Sequence, residues 1–144
     1  MSEQNKALAR RWFDQVWNQR NADAIAEMFH QDGRAGGFPT PDSILTGPEA
    51  FRKIHEHFCE LYSDIRVDLD DLIAEDDKVA VRWTASMTHT GHGLGFPPTG
   101  ERVTLRGSSF LVCGAGKIIE GWNLMDLTMI HLQLKEIAEA KSIA

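Results

Sequence analysis

The stretch KVAVRWTASMTH, residues 78–89, alternates without a break. Val79, Val81, Trp83, Ala85, Met87 and His89 fall on one side, and Ala80, Arg82, Thr84, Ser86 and Thr88 on the other. A period of two predicts a β-strand with one face buried. Just upstream, Ile65, Val67 and Leu69 alternate with Arg66, Asp68 and Asp70, and Leu72 then falls out of phase, which predicts a bulge. Glu75-Asp76-Asp77 separates the two runs as a turn. Downstream, a Gly/Pro loop covers 91–100 and a further strand runs from about Arg102 to Cys113. Gly114-Ala115-Gly116 turns the chain into a last strand from Lys117 to about Asp126. Leu127, Ile130, Leu134 and Ile137 keep helical phase after it.

The N-terminal third has the other period. Leu8, Ala9, Trp12, Phe13 and Val16 form one helical stripe. Asn21 can cap a short second helix carrying Ile25, Met28 and Phe29. Residues 33–47, with four glycines and two prolines, read as a loop with room for a short edge strand. Gly47-Pro48-Glu49 opens a third helix, because proline suits the first helical position and a carboxylate suits the positive end of the dipole. Its stripe is Phe51, Ile54, His55, Phe58 and Leu61. Helices first and an antiparallel meander after them predict an α+β fold. A strongly twisted sheet wrapped around such helices makes a cone with a pocket inside.

The 144 residues fit one domain spanning 1–144. With 15 Lys+Arg against 21 Asp+Glu the net charge is −6, which argues against nucleic-acid or anionic-membrane partners. No apolar run is long enough to span a bilayer. No apolar region follows the charges of the first residues, and Cys59 and Cys113 belong to no C-x-x-C pair, so the expected setting is cytoplasmic with reduced thiols.

Three motifs carry a resemblance. The first is Trp17-Asn18 with Asp23-Ala24. The second is Thr88-His89-Thr90-Gly91, then Gly95-Phe96-Pro97-Pro98-Thr99-Gly100. The third is Gly116-Lys117-Ile118-Ile119-Glu120 with Trp122 and Asp126, followed by Gln133-Leu134. In this order the chain resembles the SnoaL-like polyketide cyclases of the nuclear transport factor two-like superfamily, from about Ala7 to Leu134. The resemblance implies a cone-shaped α+β barrel and a cofactor-independent intramolecular aldol condensation on a polyketide ester. It implies that Asp126 is the general acid/base and that His89 lines the pocket, where it would donate a hydrogen bond to the enolate or ester oxygen. It also implies a homodimer packed through the outer sheet face.

Each residue has a plainer reading. Asp126 stands one residue before Leu127 and can simply cap the last helix. His89 can be a satisfied core histidine. His89-x-x-His92 lacks further ligands at zinc spacing, so no metal is expected. Glu120 is expected to pair with Arg82, Arg102 or Arg106 across strands. Trp12, Trp17, Phe29, His55, Phe58, Trp83 and Trp122 are the candidate pocket lining for a small hydrophobic, flat ligand. The alternatives to a cyclase are a non-catalytic small-molecule-binding or dimerisation module, and an isomerase or dehydratase on the same fold.

Overall fold

A computed structural model describes residues 2–39 and 44–143. Three helical pieces come first: α1 (Ser2–Trp12), a wide-turned continuation over Phe13–Asn18, and α2 (Asp23–Met28). Then follow β1 (Phe29–Gly36), β2 (Ile44–Thr46), α3 (Gly47–Leu61), β3 (Tyr62–Glu75), β4 (Lys78–His89), β5 (Arg102–Gly114), β6 (Lys117–Met125) and α4 (Leu127–Ile143). Among the described residues the strands form one sheet in the order β2-β1-β6-β5-β4-β3. Every neighbouring pair is antiparallel except β1 and β6, which run parallel. No described helix is long and apolar enough to cross a membrane.

The turns form where the sequence places them. Asp76 adopts φ 54° between β3 and β4, and Ala115 and Gly116 adopt φ 52° and 75° between β5 and β6. The register of β3 against β4 shifts between Leu69 and Asp71, which is the bulge announced by the phase slip at Leu72. Three boundaries differ from the sequence reading. Phe29, read with the second helix, is extended and opens β1, where it pairs with Ile118. Gly33 and Gly36 belong to β1 rather than to a loop, because the parallel ladder to β6 supplies the order that glycine lacks: Arg34 faces Glu120 and Gly36 faces Trp122. The strand expected from Ile65 begins earlier, at Tyr62, because Tyr62 and Ser63 pair with His89 and Thr88.

One apolar cluster joins the helix stripes to the inner sheet face, including Trp12, Val16, Ile25, Phe51, Val81 and Ile118. Two side chains act as backbone surrogates. Asn18 accepts from the Val67 N–H at 2.6 Å and donates to the Val67 carbonyl at 3.1 Å, sewing the wide turn to the edge strand. Gln133 accepts from the Thr104 N–H at 2.9 Å and donates to the Thr104 carbonyl at 2.7 Å, which holds α4 against β5. Both residues lie in the quoted motifs, and their position is explained by these paired bonds.

Candidate functional site

The helices build one wall of a cavity from aromatic rings. Trp12 meets Phe51 edge-on with centroids 5.0 Å apart, Trp17 meets Phe58 at 5.9 Å and 88°, and Phe38 meets Phe51 at 5.4 Å. Phe51 and Phe58 share one face of α3 because they are seven residues, two turns, apart. The sheet supplies the opposite wall, with Trp83, Ala85 and Met87 from β4, Ser109 and Leu111 from β5, and Asn123 and Met125 from β6. Trp83 reaches in because its cross-strand partner is Gly107, where a Cβ would sit 2.5 Å from the indole. The cavity volume is about 80 Å³, room for roughly six waters at ~10–15 Å³ each. That space suits a compound of one or two flat rings.

Within these apolar walls the polar groups are few and mostly committed. The Trp83 indole N–H donates to the Ser109 hydroxyl at 3.0 Å, and the hydroxyl donates to Asn123 Oδ1 at 2.6 Å. Asn123 Nδ2 donates to the Gly36 carbonyl at 2.9 Å. The Tyr62 hydroxyl has no hydrogen-bond partner among the described residues, and burial pushes its pKa up to about 12, so it stays protonated. Tyr62 is the one titratable side chain on the described cavity wall. Among the described residues no group of three metal-ligating side chains is found.

Of the sequence candidates, Trp12, Trp17, Phe29, Phe58 and Trp83 line this cavity. Four others lie elsewhere. Asp126 is exposed; its Oδ1 accepts the Met129 N–H at 3.1 Å, so it caps α4 in the plainer of its two readings. Glu120, Trp122, Leu124 and Asp126 share the outer face, while Gly121, Asn123 and Met125 turn inward. Trp122 stacks under the Arg34 guanidinium at 5.9 Å and donates to Glu120 at 3.0 Å. Glu120 takes Arg34 as its ion-pair partner at 3.6 Å, rather than Arg82, Arg102 or Arg106, because Arg34 of β1 lies directly opposite it, whereas β4 does not neighbour β6 and β5 sets Val112 against it.

His55 is buried behind the aromatic wall, its ring 4.9 Å from Trp17, and its Nε2–H donates to the Val16 carbonyl at 2.6 Å. Burial lowers its pKa, against the opposing pull of that carbonyl, and the charges of Arg20 and Arg52 lower it further. His89 is fully buried outside the cavity lining. Its Nδ1 accepts the Thr99 N–H at 3.2 Å, so the ring proton sits on Nε2, which has no partner among the described residues. Burial lowers its pKa, with His92 adding to the effect and the Gly91 carbonyl opposing it. Its backbone bonds Glu101 at 2.9 Å and Gly100 at 2.8 Å, so His89 anchors the far end of the 90–101 loop.

Sequence reasoning missed Ser109 and Asn123. The signal available for Ser109 was a lone hydroxyl at the parity of Val103, Leu105, Leu111 and Cys113, all of which are buried. No comparable signal marked Asn123.

A family model described as SnoaL-like polyketide cyclase matches residues 7–134. No curated protein sequence matches the chain. Among solved structures, AclR of Streptomyces galilaeus, a candidate hydroxylase, superposes with TM-score 0.82 at 24% identity over 94% of this chain and 87% of its own. TsrD of Streptomyces laurentii gives 0.80 at 25% over 93% and 96%. IdmH of Streptomyces antibioticus, a candidate polyketide cyclase, gives 0.80 at 20% over 91% and 98%. Such identities speak for the shared cone.

Proposed function

Since the chain belongs to the SnoaL-like polyketide cyclase family, we propose that its cone takes up a small, flat, largely apolar compound. The observation that carries this reading is the narrow cavity between the α3 aromatics and Trp83, with a short polar relay at its sheet wall. Flat rings gain dispersion and edge-to-face contacts there, and expelled water adds the hydrophobic term.

The test uses indane and 1-indanone as probes, followed by quenching of the wall tryptophans. Ala85, buried between Trp83 and Met87 on the cavity wall, is the position to plug. Ala85→Phe is expected to weaken both probes at least about tenfold while the far-ultraviolet circular dichroism stays native, since the added phenyl group takes space that a bound ring needs. Undiminished binding in that variant would place the ligand elsewhere.

Aldol cyclisation with Asp126 as base and His89 as orienting donor is the second reading, favoured by the family and by the place of Asp126 directly after the cavity-lining Met125. It requires the Asp126 carboxylate to leave its cap and reach the cavity. Binding alone predicts a different result. Asp126→Asn keeps both probe affinities and most of the stability, and Asp126→Ala loses ~1 kcal/mol as the cap is removed. Turnover of a polyketide ester that collapses in Asp126→Asn would restore the acid/base role.

The homodimer that the resemblance implies is proposed on one part of the outer sheet face. At the Arg82–Thr88 end the outer face is occupied internally, since Arg82 pairs with Asp71 at 2.7 Å and Arg102 bonds Ser86 and Thr88. The open apolar area is the row Ile73–Ala80–Phe110–Trp122 with Leu124 beside it, where Phe110 is 54% and Leu124 69% exposed. A two-fold axis through this row would stack it on its copy. Light scattering is expected to give twice the chain mass, and Phe110→Glu with Leu124→Glu to give a single chain; a monomeric wild type refutes the pairing.

A further inference from the structure

We infer that Asn123 is the specificity-determining residue of the cavity and that it reads a hydrogen-bond acceptor, a carbonyl oxygen, on the bound compound. The inference rests on the reading that the cone cavity binds a ligand. It follows from the polarity of the relay. The indole N–H of Trp83 can only donate, so the Ser109 oxygen accepts and its own proton must go onward. That proton goes to Asn123 Oδ1 at 2.6 Å. At the other end the Gly36 carbonyl can only accept, and it takes an N–H from Asn123 Nδ2 at 2.9 Å. Both neighbours therefore fix the same amide orientation, and a flipped amide would set oxygen against the Gly36 oxygen.

The count of remaining capacity then decides the ligand. Asn123 has two N–H groups and one is committed. Its oxygen is already satisfied by Ser109, and an oxygen with one unused lone pair costs little. The second N–H has no partner among the described residues, on a half-buried side chain that lines a cavity whose other side-chain polar groups are the Tyr62 and Ser109 hydroxyls and the indole N–H groups. An unmet donor is the expensive orphan. A flat ligand that places a carbonyl oxygen against it completes the relay, whereas a hydrocarbon of the same shape leaves the donor unmet. The geometry behind Asn123 is stiff. Gly37 packs so closely on the Asn123 backbone that any Cβ would overlap the Asn123 carbonyl, which holds β1 and β6 in place beneath the amide.

The experiment compares 1-indanone with indane by calorimetry on the full chain. The readout is the ratio of the two affinities within each variant, which a general loosening of the cavity would leave unchanged. Wild type is expected to favour the ketone roughly fivefold, the usual net worth of one such bond. Asn123→Leu is expected to keep indane binding and bring the ratio to about one. Ser109→Ala, which frees Oδ1 and unlocks the amide, is expected to reduce the ratio; it carries the test if Asn123→Leu does not fold. A wild-type ratio near one, or a ketone preference that survives in the variants, overturns the inference while leaving the cavity reading intact. Failure of both probes to bind wild type overturns the cavity reading and the inference with it.

Discussion

Acidification is expected to destabilise the protein steeply, by up to ~1.4 kcal/mol per pH unit for each of two histidines once the pH falls below about 6.5. His55 and His89 are both buried, and burial lowers both pKa values from the ordinary 6.5. In the unfolded chain both take up a proton as the pH passes 6.5; in the folded chain they resist until the pH reaches their lowered values. Between those points the unfolded state binds more protons, so acid favours it. Stability is fully present above 6.5 and lost as the pH falls toward the folded values. Arg20 and Arg52 near His55, and His92 near His89, reinforce the resistance, whereas the Val16 and Gly91 carbonyls moderate it. Protonation of His89 would also set a new N–H at Nδ1 against the Thr99 N–H, exchanging that bond for one donated to the Thr99 hydroxyl 3.2 Å away. Urea midpoints at about pH 7.5 and about pH 5.5 measure the effect. His89→Gln and His55→Gln, whose amides can still accept from Thr99 or donate to Val16, are each expected to remove part of the slope. A wild-type midpoint unchanged across this range would mean that both rings titrate as in a free chain.

Gly37→Ala is the substitution expected to do most damage to the fold, roughly 2–4 kcal/mol. Gly37 has φ 87°, a conformation that costs an L side chain ~1–2 kcal/mol. Its missing Cβ is also the space into which the Asn123 backbone fits, with the Asn123 carbonyl carbon 2.7 Å from where the Cβ would be. Backbone cannot yield as a flexible side chain can. Relief requires β1 to separate from β6, which breaks the bond from Asn123 to Gly36 and the parallel ladder at Gly36 and Trp122. Gly100→Ala is the control, since φ is 69° there but no atom lies within 4 Å of the added carbon. It is expected to cost only the conformational share, ~1–2 kcal/mol. The difference between the two in chemical denaturation isolates the close approach. Equal costs would show that strain alone acts at Gly37.

Local periodicity made the elements legible in the sequence. The alternation of Val79 to His89, the phase slip at Leu72, the Asp76 turn, and the stripe of α3 depend on neighbours along the chain, and each appears in the fold. So does the α+β class, because helices with one apolar stripe and strands with one apolar face have few ways to bury both. Which parity of a strand faces the cavity was decided only by tertiary structure. Ile118 is buried against the helices, and continuing its parity would send Glu120, Trp122, Leu124 and Asp126 inward. Against β5, however, Glu120 pairs with Val112 and Ile118 with Cys113, which leaves Ile119 as an extra residue on β6. One inserted residue exchanges the faces of everything after it. The carboxylate and indole of the motif therefore turn outward, and Gly121, Asn123 and Met125 turn in. The parallel pairing of β1 with β6 is likewise a long-range fact, and it sets the Gly36 carbonyl under the Asn123 amide. The sequence thus determined the wall's aromatic material through helical spacing, while the register of two distant strands determined which polar group that wall presents to a ligand.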